Sequence, residues 1–382
     1  MREVEETFEG LEEELLGLFR RGVDQSLPDE DFNGLALRVF RFQCRANAPF
    51  GAFVRLRGLE AESVTDWEEI PHLPTQAFKT VDLVTGDGSD VEAVFRTSGT
   101  TAGGQTRGRH LIRSLNLYRG ALLPNFRAHL LPDGVNLPIL ALIPDPDELP
   151  DSSLSYMVGQ IRDFLCAGRT KFFAHSSHGV QAHRFFSALK AAEKDGNPVL
   201  LIGTAFSFVH WLEAADGEGW RVKLPGGSRL METGGFKGRS KVLSREGLYS
   251  RLEESFGIPT SMMVNEYGMT ELLSQFYEPV LVGSEEGTSG VSTRHHVAPP
   301  WVRTRVLDPM TLEPVPKGDV GILAHFDLAN LGSVSGVLTE DLGRVVLGGF
   351  SIQGRNPGAE PRGCSLAMED FLGGLRGVHD AF

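Results

Sequence analysis

The sequence predicts an α/β protein with layered parallel sheets and a strand-rich subdomain near its C-terminus. Short apolar runs alternate with helix-like amphipathic segments between about residues 91 and 264. That alternation is typical of parallel strands joined by helical crossovers. After about residue 290, strand-like segments are separated by turn residues and no long helical pattern occurs. The 382 residues, 41% of them hydrophobic, are ample to bury a core without disulfide or metal support.

Composition argues against several functional classes. Lys and Arg number 37 against 50 Asp and Glu, and the net charge of −13 offers no basic field for nucleic acid or an anionic membrane. Cys44, Cys166 and Cys364 lie far apart, which indicates a reducing, cytoplasmic environment. The acidic start is unlike a signal peptide, and residues 137–143 and 199–212 are too short or interrupted to span a bilayer. We therefore expect a cytoplasmic protein with no membrane or nucleic-acid partner.

The chain divides into four predicted segments. Residues 1–80 form an N-terminal helical part of the core, because apolar residues recur every three or four positions in the first 21 residues and again over about 33–48. Residues 81–290 form the α/β core that binds ligands. Residues 291–353 form the strand-rich subdomain, and residues 354–382 form a short tail that carries Cys364.

Each element of the core follows from its periodicity and from the turn residues beside it. Strands are predicted at 91–96, 110–113, 137–143, 198–203, 229–232 and 260–264. Helices are predicted at about 114–131, 154–166, 180–194, 206–214 and 245–256, with a short one at 368–375.

The first motif is the loop TSGTTAGG at residues 97–104, directly after a predicted strand. Glycines let backbone N–H groups converge on phosphate oxygens, and hydroxyl groups add donors. The candidate phosphate-binding residues are Thr97, Ser98, Gly99, Thr100 and Thr101. Residues 99–106 nearly match the P-loop spacing, but Gln105 stands in the place of the lysine that a P-loop phosphotransferase needs. A polar loop without a ligand is the remaining alternative.

The second motif is NEYGMTE at residues 265–271, after a buried strand. Ligands of parallel α/β sheets bind at the carboxyl ends of strands. Here Tyr267 could stack on a base, Gly268 allows close approach, and Thr270 could donate to a phosphate. Glu271 supplies a carboxylate of the kind that binds Mg²⁺. The start of an N-capped helix would explain the same pattern.

The third motif is the triplet TED at residues 339–341, followed by Gly354 and Arg355. A carboxylate at a strand end, such as Asp341, can accept hydrogen bonds from ribose hydroxyls, and Arg355 could hold a phosphate or the ribose. A turn aspartate and a surface arginine would be the ordinary alternative.

Other chemistries have weaker support in the sequence. It contains neither the G-x-S-x-G elbow of serine hydrolases nor the G-x-G-x-x-G fingerprint of dinucleotide-binding folds. Two groups of histidines could ligate a metal, but they lack the H-E-x-x-H pattern or a cysteine partner. These histidines are His175, His178 and His183, and the pair His295 and His296.

Taken together, the three motifs resemble those of the adenylate-forming superfamily of acyl-CoA synthetases, luciferases and adenylation domains. A closer resemblance is to a short branch, the acyl-protein synthetases of the bacterial bioluminescence fatty acid reductase complex. Five segments carry that closer similarity: residues 152–157, 231–239, 299–309, 325–331 and 362–366.

The resemblance implies two half-reactions, in which ATP activates a carboxylic acid to an acyl-adenylate and a thiol then takes the acyl group. It implies that the loop residues 97–101 hold the phosphates and that Thr270, Glu271 and Arg355 act in catalysis, with Glu271 binding Mg²⁺. It assigns the ribose to Asp341 and the acyl group to Cys364. The implied adenine pocket consists of Gly234, Gly235, Asn265 and Tyr267, and Gly268 is a further implied nucleotide-binding residue.

Two alternatives stay open at the level of sequence, and the end of the chain supports one further expectation. The acyl acceptor could instead be coenzyme A, a carrier protein or an amine, and the acylated chain could serve an acyl-accepting reductase or carrier protein. A non-catalytic nucleotide-binding scaffold is the alternative of another class. Finally, the chain ends 27 residues after Arg355 and its last lysine is Lys317. We therefore expect the lysine-bearing C-terminal domain of the wider superfamily to be truncated here.

Overall fold

The structure, a computed structural model, describes residues 6–97, 107–166, 169–234, 244–282 and 291–355. These residues group into two units. The first draws on Met1–Pro124, Met269–Ser274 and Ala298–Phe382, and the second on Asn125–Gly268 and Gln275–Val297. The chain therefore passes from the second unit to the first within the NEYGMTE motif, between Gly268 and Met269.

The helices and strands follow closely the periodicities of the sequence. The helices are α1 (Phe8–Arg20), α2 (Asp29–Ala46), α3 (Ala48–Leu56), α4 (Leu115–Leu130), α5 (Ser153–Phe164), α6 (Ala182–Asp195), α7 (Ala205–Glu218) and α8 (Arg245–Phe256). The strands are β1 (Leu73–Pro74), β2 (Ala93–Arg96), β3 (Arg109–Ile112), β4 (Ile139–Leu142), β5 (Thr170–Phe172), β6 (Ala174–His175), β7 (Gly179–Val180), β8 (Leu200–Thr204), β9 (Arg229–Thr233), β10 (Met263–Tyr267), β11 (Phe276–Tyr277), β12 (Val302–Leu307), β13 (Gly321–Asp327), β14 (Gly336–Val346) and β15 (Gly349–Arg355). Among the described residues, none forms a helix that is both long and apolar enough to cross a bilayer.

The first unit contains a five-stranded sheet in the order β1-β14-β13-β12, with β15 also paired to β14. Strand β1 runs parallel to β14, and the pairs among β12, β13, β14 and β15 are antiparallel. Every residue of β13 is buried, as expected for a central strand. The strand-rich character predicted after residue 290 is confirmed. A separate hairpin, β2–β3, lies in the same unit.

The second unit is built on a six-stranded sheet in the order β11-β10-β9-β8-β4-β5. Adjacent strands are parallel throughout the series β10, β9, β8, β4 and β5. The edge strand β11 is antiparallel to β10. Aromatic residues of α6, α7 and α8 pack in one buried cluster with apolar residues of the sheet. Trp211 stacks on Phe256 there, with ring centroids 4.6 Å apart. The predicted α/β architecture with a parallel sheet is confirmed.

Several predicted boundaries need correction. The strand predicted at 260–264 begins at Met263 and extends through Tyr267, so the first three residues of the NEYGMTE motif belong to the strand. No helix begins at the motif, because turns and irregular backbone occupy residues 268–275. Helix α3 is absent from the prediction, although Asn47 caps it by accepting a hydrogen bond from the Phe50 amide at 3.2 Å. The predicted helix at 368–375 lies outside the described residues.

Candidate active site

The predicted phosphate loop connects the two strands of the β2–β3 hairpin. The Thr97 amide donates to the Gly108 carbonyl at 2.9 Å, and the Gly108 amide donates back to Thr97 Oγ1 at 2.9 Å. Arg107 Nε adds a hydrogen bond to the Thr97 carbonyl at 2.7 Å. A P-loop instead leads from a strand into a helix, so this hairpin contradicts the P-loop alternative. Thr97 therefore closes the base of the loop.

The remaining residues of the loop lie outside the described part of the chain. Those predicted to bind phosphate are Ser98, Gly99, Thr100 and Thr101. Their contacts with phosphate stay predictions, as do the roles of Gly235 and Cys364, which the structure also leaves undescribed.

The Thr270–Glu271 segment is held by contacts to its backbone within the first unit. His110 Nδ1, on β3, lies 2.7 Å from the Thr270 carbonyl oxygen. Asn330 Nδ2 donates to the Glu271 carbonyl at 2.8 Å. The Glu271 residue itself is buried, with 8% of its surface exposed. These two hydrogen bonds hold the main chain from which the Glu271 side chain extends.

A buried carboxylate anchors the residues that follow Glu271. Asp327 Oδ2 accepts from the amides of Leu273 and Ser274 at 3.1 and 2.8 Å, and Oδ1 accepts from Ser274 Oγ at 2.8 Å and the Ala329 amide at 3.0 Å. Asp327 is fully buried, and burial raises its pKa to about 6 although these hydrogen bonds oppose the shift. Trp301 Nε1 completes the network by donating to Ser274 Oγ at 3.0 Å.

These anchoring residues are ones that sequence reasoning left without a role. Asp327 and Asn330 lie in the segment 325–331, and Trp301 in the segment 299–309, which had carried only the resemblance. The sequence does contain a usable indication, since an Asp and an Asn interrupt the apolar residues of 326–331. Buried polar residues are hydrogen-bonded, so such interruptions point to a buried network.

The structure brings the two halves of the third motif into contact. Asp341 on β14 pairs in register with Arg355 on β15, and Arg355 Nε lies 3.1 Å from Asp341 Oδ1. A second ion pair joins Arg355 Nη1 to Glu340 Oε2 at 3.6 Å. The Asp341 side chain is 14% exposed and that of Arg355 is 52% exposed. The prediction of a strand-end aspartate is wrong, because Asp341 lies in the interior of an eleven-residue strand.

The predicted adenine residues that the structure describes lie at or near the carboxyl ends of two adjacent parallel strands in the second unit. Gly234 directly follows β9 with a φ of +79°, a conformation that favours glycine. Asn265 faces Glu232 in the β9–β10 register, and its Nδ2 donates to Glu232 Oε1 at 2.5 Å. Tyr267 ends β10, with its ring centroid 5.7 Å from that of Phe276. The placement agrees with ligand binding at strand ends, and the adenine role stays a prediction.

A buried carboxylate explains the glycine of the NEYGMTE motif. A Cβ atom at Gly268 would collide with Glu266 Oε1, so a larger residue would require the buried Glu266 side chain to move. Glu266 in turn accepts a hydrogen bond from Thr233 Oγ1. Burial raises the pKa of both Glu266 and Glu232 to about 7.

One of the histidines proposed as alternative metal ligands, His296, is part of a buried contact in the second unit. His296 is buried, and its Nε2 lies 2.6 Å from Asn265 Oδ1. Burial lowers its pKa to about 3, so the ring is neutral near pH 7. Within the described ranges, no three His, Cys, Asp or Glu side chains are grouped so that they could hold a metal ion.

Comparison with known sequences identifies relatives along most of the chain. The family described as acyl-protein synthetase, LuxE, matches residues 29–373. A long-chain-fatty-acid–luciferin-component ligase of Vibrio harveyi is 24% identical over 346 residues, which cover 86% of this chain and 85% of the relative. The enzyme of the same name from Aliivibrio fischeri is 27% identical over 291 residues, covering 73% and 70% of the two chains.

Solved structures support the same fold. A 2-hydroxyisobutyryl-CoA ligase in complex with an acyl-adenylate and CoA has a TM-score of 0.58 at 17% identity, covering 85% of this chain and 67% of the ligase. The same ligase in its postadenylation state has a TM-score of 0.59 at 16% identity, and 65% of its length is covered. The chain thus spans about two thirds of that ligase. The sequence match over residues 29–373 establishes that the chain belongs to the acyl-protein synthetase family LuxE, and the solved structures show the fold that it shares.

Proposed function

We propose that the protein uses ATP to convert a long-chain fatty acid to an acyl-adenylate and then transfers the acyl group to a thiol. The substrate class is taken from the names of the relatives from Vibrio harveyi and Aliivibrio fischeri. The observation that carries the proposal is the held Thr270–Glu271 segment, which lies in the same unit as the Asp341–Arg355 pair.

The proposed chemistry has two balanced steps. The fatty acid carboxylate attacks the α-phosphorus, a new P–O bond forms, and the bond to pyrophosphate breaks. The thiolate then attacks the acyl carbonyl carbon, and AMP departs with the electron pair of the broken C–O bond. Activation is required because a carboxylate resists nucleophilic attack, whereas the acyl-adenylate carries a good leaving group.

The polar and charged side chains of the first unit fit this chemistry. Asp341 offers a mostly buried carboxylate for the ribose hydroxyls, and the more exposed Arg355 would orient the nucleotide. Thr270 would contact the α-phosphate, and the loop residues 97–101 would bind the outgoing phosphates. The Glu271 carboxylate is a hard oxygen ligand and would hold Mg²⁺, which supplies charge neutralisation at the reacting phosphate. The adenine would contact the residues predicted for it, which are Gly234, Gly235, Asn265 and Tyr267, with Gly268 beside them.

We assign the acyl acceptor to Cys364. The other two thiols support this choice, because burial raises the pKa of Cys44 to about 12 and that of Cys166 to about 11. The thiolate is the nucleophilic form, so both have little reactive species at neutral pH. An acyl-accepting reductase or carrier protein would then receive the acyl group from Cys364.

The first half-reaction is tested by ATP–pyrophosphate exchange over a series of fatty and aryl acids. Exchange should depend on added acid and be fastest with long-chain fatty acids. Glu271→Gln should lose most of the exchange while ATP binding persists, since only the metal ligand changes. Acid-independent exchange, or a wild-type rate in this variant, would contradict the assignment.

The second half-reaction is tested by mass spectrometry of the intact chain after incubation with ATP, Mg²⁺ and a labelled fatty acid. We expect one hydroxylamine-labile acyl adduct that disappears in Cys364→Ala and persists in the matched variants Cys44→Ala and Cys166→Ala. Pyrophosphate exchange should continue in all three variants. An adduct on another cysteine, or release of acyl-CoA without an adduct, would remove Cys364 from the mechanism.

A further inference from the structure

A buried histidine connects two segments of the first unit that are proposed to bind ATP phosphates and Mg²⁺. His110 lies on β3, two residues after Gly108, which closes the base of the phosphate loop with Thr97. Its Nδ1 lies 2.7 Å from the carbonyl oxygen of Thr270, a residue 160 positions away in sequence. Only 1% of the residue is exposed. The Phe78 ring packs against the imidazole edge to face, with centroids 5.4 Å apart.

The chemistry of this contact defines the state of the imidazole. A carbonyl oxygen can only accept, so Nδ1 carries the proton and donates it to the hydrogen bond. Burial lowers the pKa of His110 to about 4, and the ring therefore stays neutral in the range where enzymes of this kind are assayed. An imidazole whose pKa lies well below the working pH is a poor general acid or base. A geometric role therefore remains for His110.

The hairpin transmits this geometry to the phosphate loop. His110 pairs with Phe95, and Arg109 with Arg96, in the antiparallel register of β2 and β3. Beyond these pairs the two hydrogen bonds between Thr97 and Gly108 close the loop. The stem of the loop, the β3 strand and the Thr270 carbonyl thus form one hydrogen-bonded series.

We infer that His110 is a positioning residue that holds the Thr270–Glu271 segment in register with the stem of the phosphate loop. This inference rests on the proposed function of the two segments. No substrate contact is assigned to His110, which acts through the main chain of Thr270. Adenylation needs the α-phosphate contact and the leaving phosphates to be aligned together, and a displacement of about 1 Å can lower a rate about 100-fold.

A pair of variants separates positioning from folding. In His110→Asn, the amide Nδ2 can occupy the place of the imidazole Nδ1 and keep the donor. In His110→Phe, the ring contact with Phe78 is kept and the donor is lost. His129→Phe is the matched control, because His129 is also buried and its Nδ1 lies 2.9 Å from the Asn125 carbonyl oxygen in the second unit.

The kinetic experiment measures acid-dependent ATP–pyrophosphate exchange at varied ATP and Mg²⁺. We expect His110→Phe to lower kcat about ten- to 100-fold with KM for ATP changed much less, and to need more Mg²⁺ for half-maximal rate. His110→Asn should stay within a few-fold of wild type, and the pH profile from 6 to 8 should keep its shape. Equal losses in both His110 variants, or a similar kcat loss in His129→Phe, would overturn the inference.

Amide hydrogen exchange tests the same inference without any activity. Peptides covering residues 268–275 should exchange faster in His110→Phe than in wild type and His110→Asn, because the Thr270 main chain has lost one anchor. Unchanged exchange in that peptide would overturn the positioning role. A different outcome is that the wild type shows no acid-dependent ATP–pyrophosphate exchange, while amide hydrogen exchange is still altered in His110→Phe. That result would refute the proposed function and leave His110 as a structural anchor only.

Discussion

At the scale of single residues, the candidate site contains an arginine that pairs with two neighbouring carboxylates. Asp341 and Arg355 form an ion pair across two strands, with 3.1 Å between Arg355 Nε and Asp341 Oδ1. Glu340 is next to Asp341 and also pairs with Arg355, at 3.6 Å. The Asp341 side chain is 14% exposed and makes the shorter contact, whereas the Glu340 side chain is 35% exposed, so the two carboxylates are not equivalent to a ligand.

This difference predicts unequal effects on ATP binding. Asp341→Ala should weaken ATP binding about ten- to 100-fold, because charge-assisted hydrogen bonds to ribose are worth about 1.5–3 kcal/mol. Glu340→Ala is the matched control and should change affinity little. Titration calorimetry with ATP measures both variants. Unchanged affinity in Asp341→Ala would leave Asp341 with a structural role only.

At the scale of secondary-structure elements, the turn after β10 is shaped by residues of other elements. Asp327 ends β13 and accepts the backbone amides of Leu273 and Ser274, and Asn330 follows in a short 3₁₀ segment. The turn has no regular backbone pairing of its own to satisfy these groups. Its conformation therefore depends on one buried carboxylate and one buried amide.

Removal of that carboxylate should destabilise the protein strongly. Asp327→Ala leaves buried amide and hydroxyl donors without an acceptor, which should lower the free energy of unfolding by about 2–4 kcal/mol. Asp308→Ala is a suitable control, because Asp308 accepts the amides of Met310 and Thr311 in a more exposed turn. Urea denaturation measures both. A loss in Asp308→Ala as large as that in Asp327→Ala would contradict the importance of burial.

At the scale of the whole molecule, two sets of buried titratable groups act in opposite directions. Burial lowers the pKa of His72, His296 and His325 to about 3 and that of His110 to about 4. Their ordinary pKa is 6.5, so the unfolded chain binds more protons and stability falls as pH drops from about 6.5 to 4. The raised pKa of Glu232 and Glu266, about 7, has the opposite sign, because stability falls as pH rises from 4.5 through 7.

The histidine contribution can be isolated with one variant. His110→Asn removes one proton-binding difference between the folded and unfolded states. Its free energy of unfolding should therefore decline less on acidification from pH 6.5 to 4.5, by up to about 1.4 kcal/mol per pH unit. The exposed His210 supplies a control in His210→Asn, which should keep the wild-type slope. Urea denaturation at several pH values measures the slopes, and a wild-type slope in His110→Asn would refute the argument.

Much of the architecture could be predicted from local periodicity. Helix α8 lies at the predicted boundaries, and the apolar runs at 137–143 and 198–203 form the central strands β4 and β8. These elements are long or strongly apolar, so their type follows from their own residues. The end of β10 was misplaced because Asn265, Glu266 and Tyr267 are turn-like or polar. Pairing of Asn265 and Glu266 with β9, and of Tyr267 with Phe276 on β11, keeps them in the strand.

The sequence by itself determined the α/β architecture, the three motifs and the family resemblance, because each of these is carried by residues that are close in sequence. Only the tertiary structure decided which residues support the motifs. The contact of His110 with Thr270 joins residues 160 positions apart, and that of Asp327 with Ser274 joins residues 53 positions apart. Such contacts depend on strand register and burial across the whole unit. No local pattern encodes either quantity, so the partners of these anchoring residues could be identified only in the folded chain.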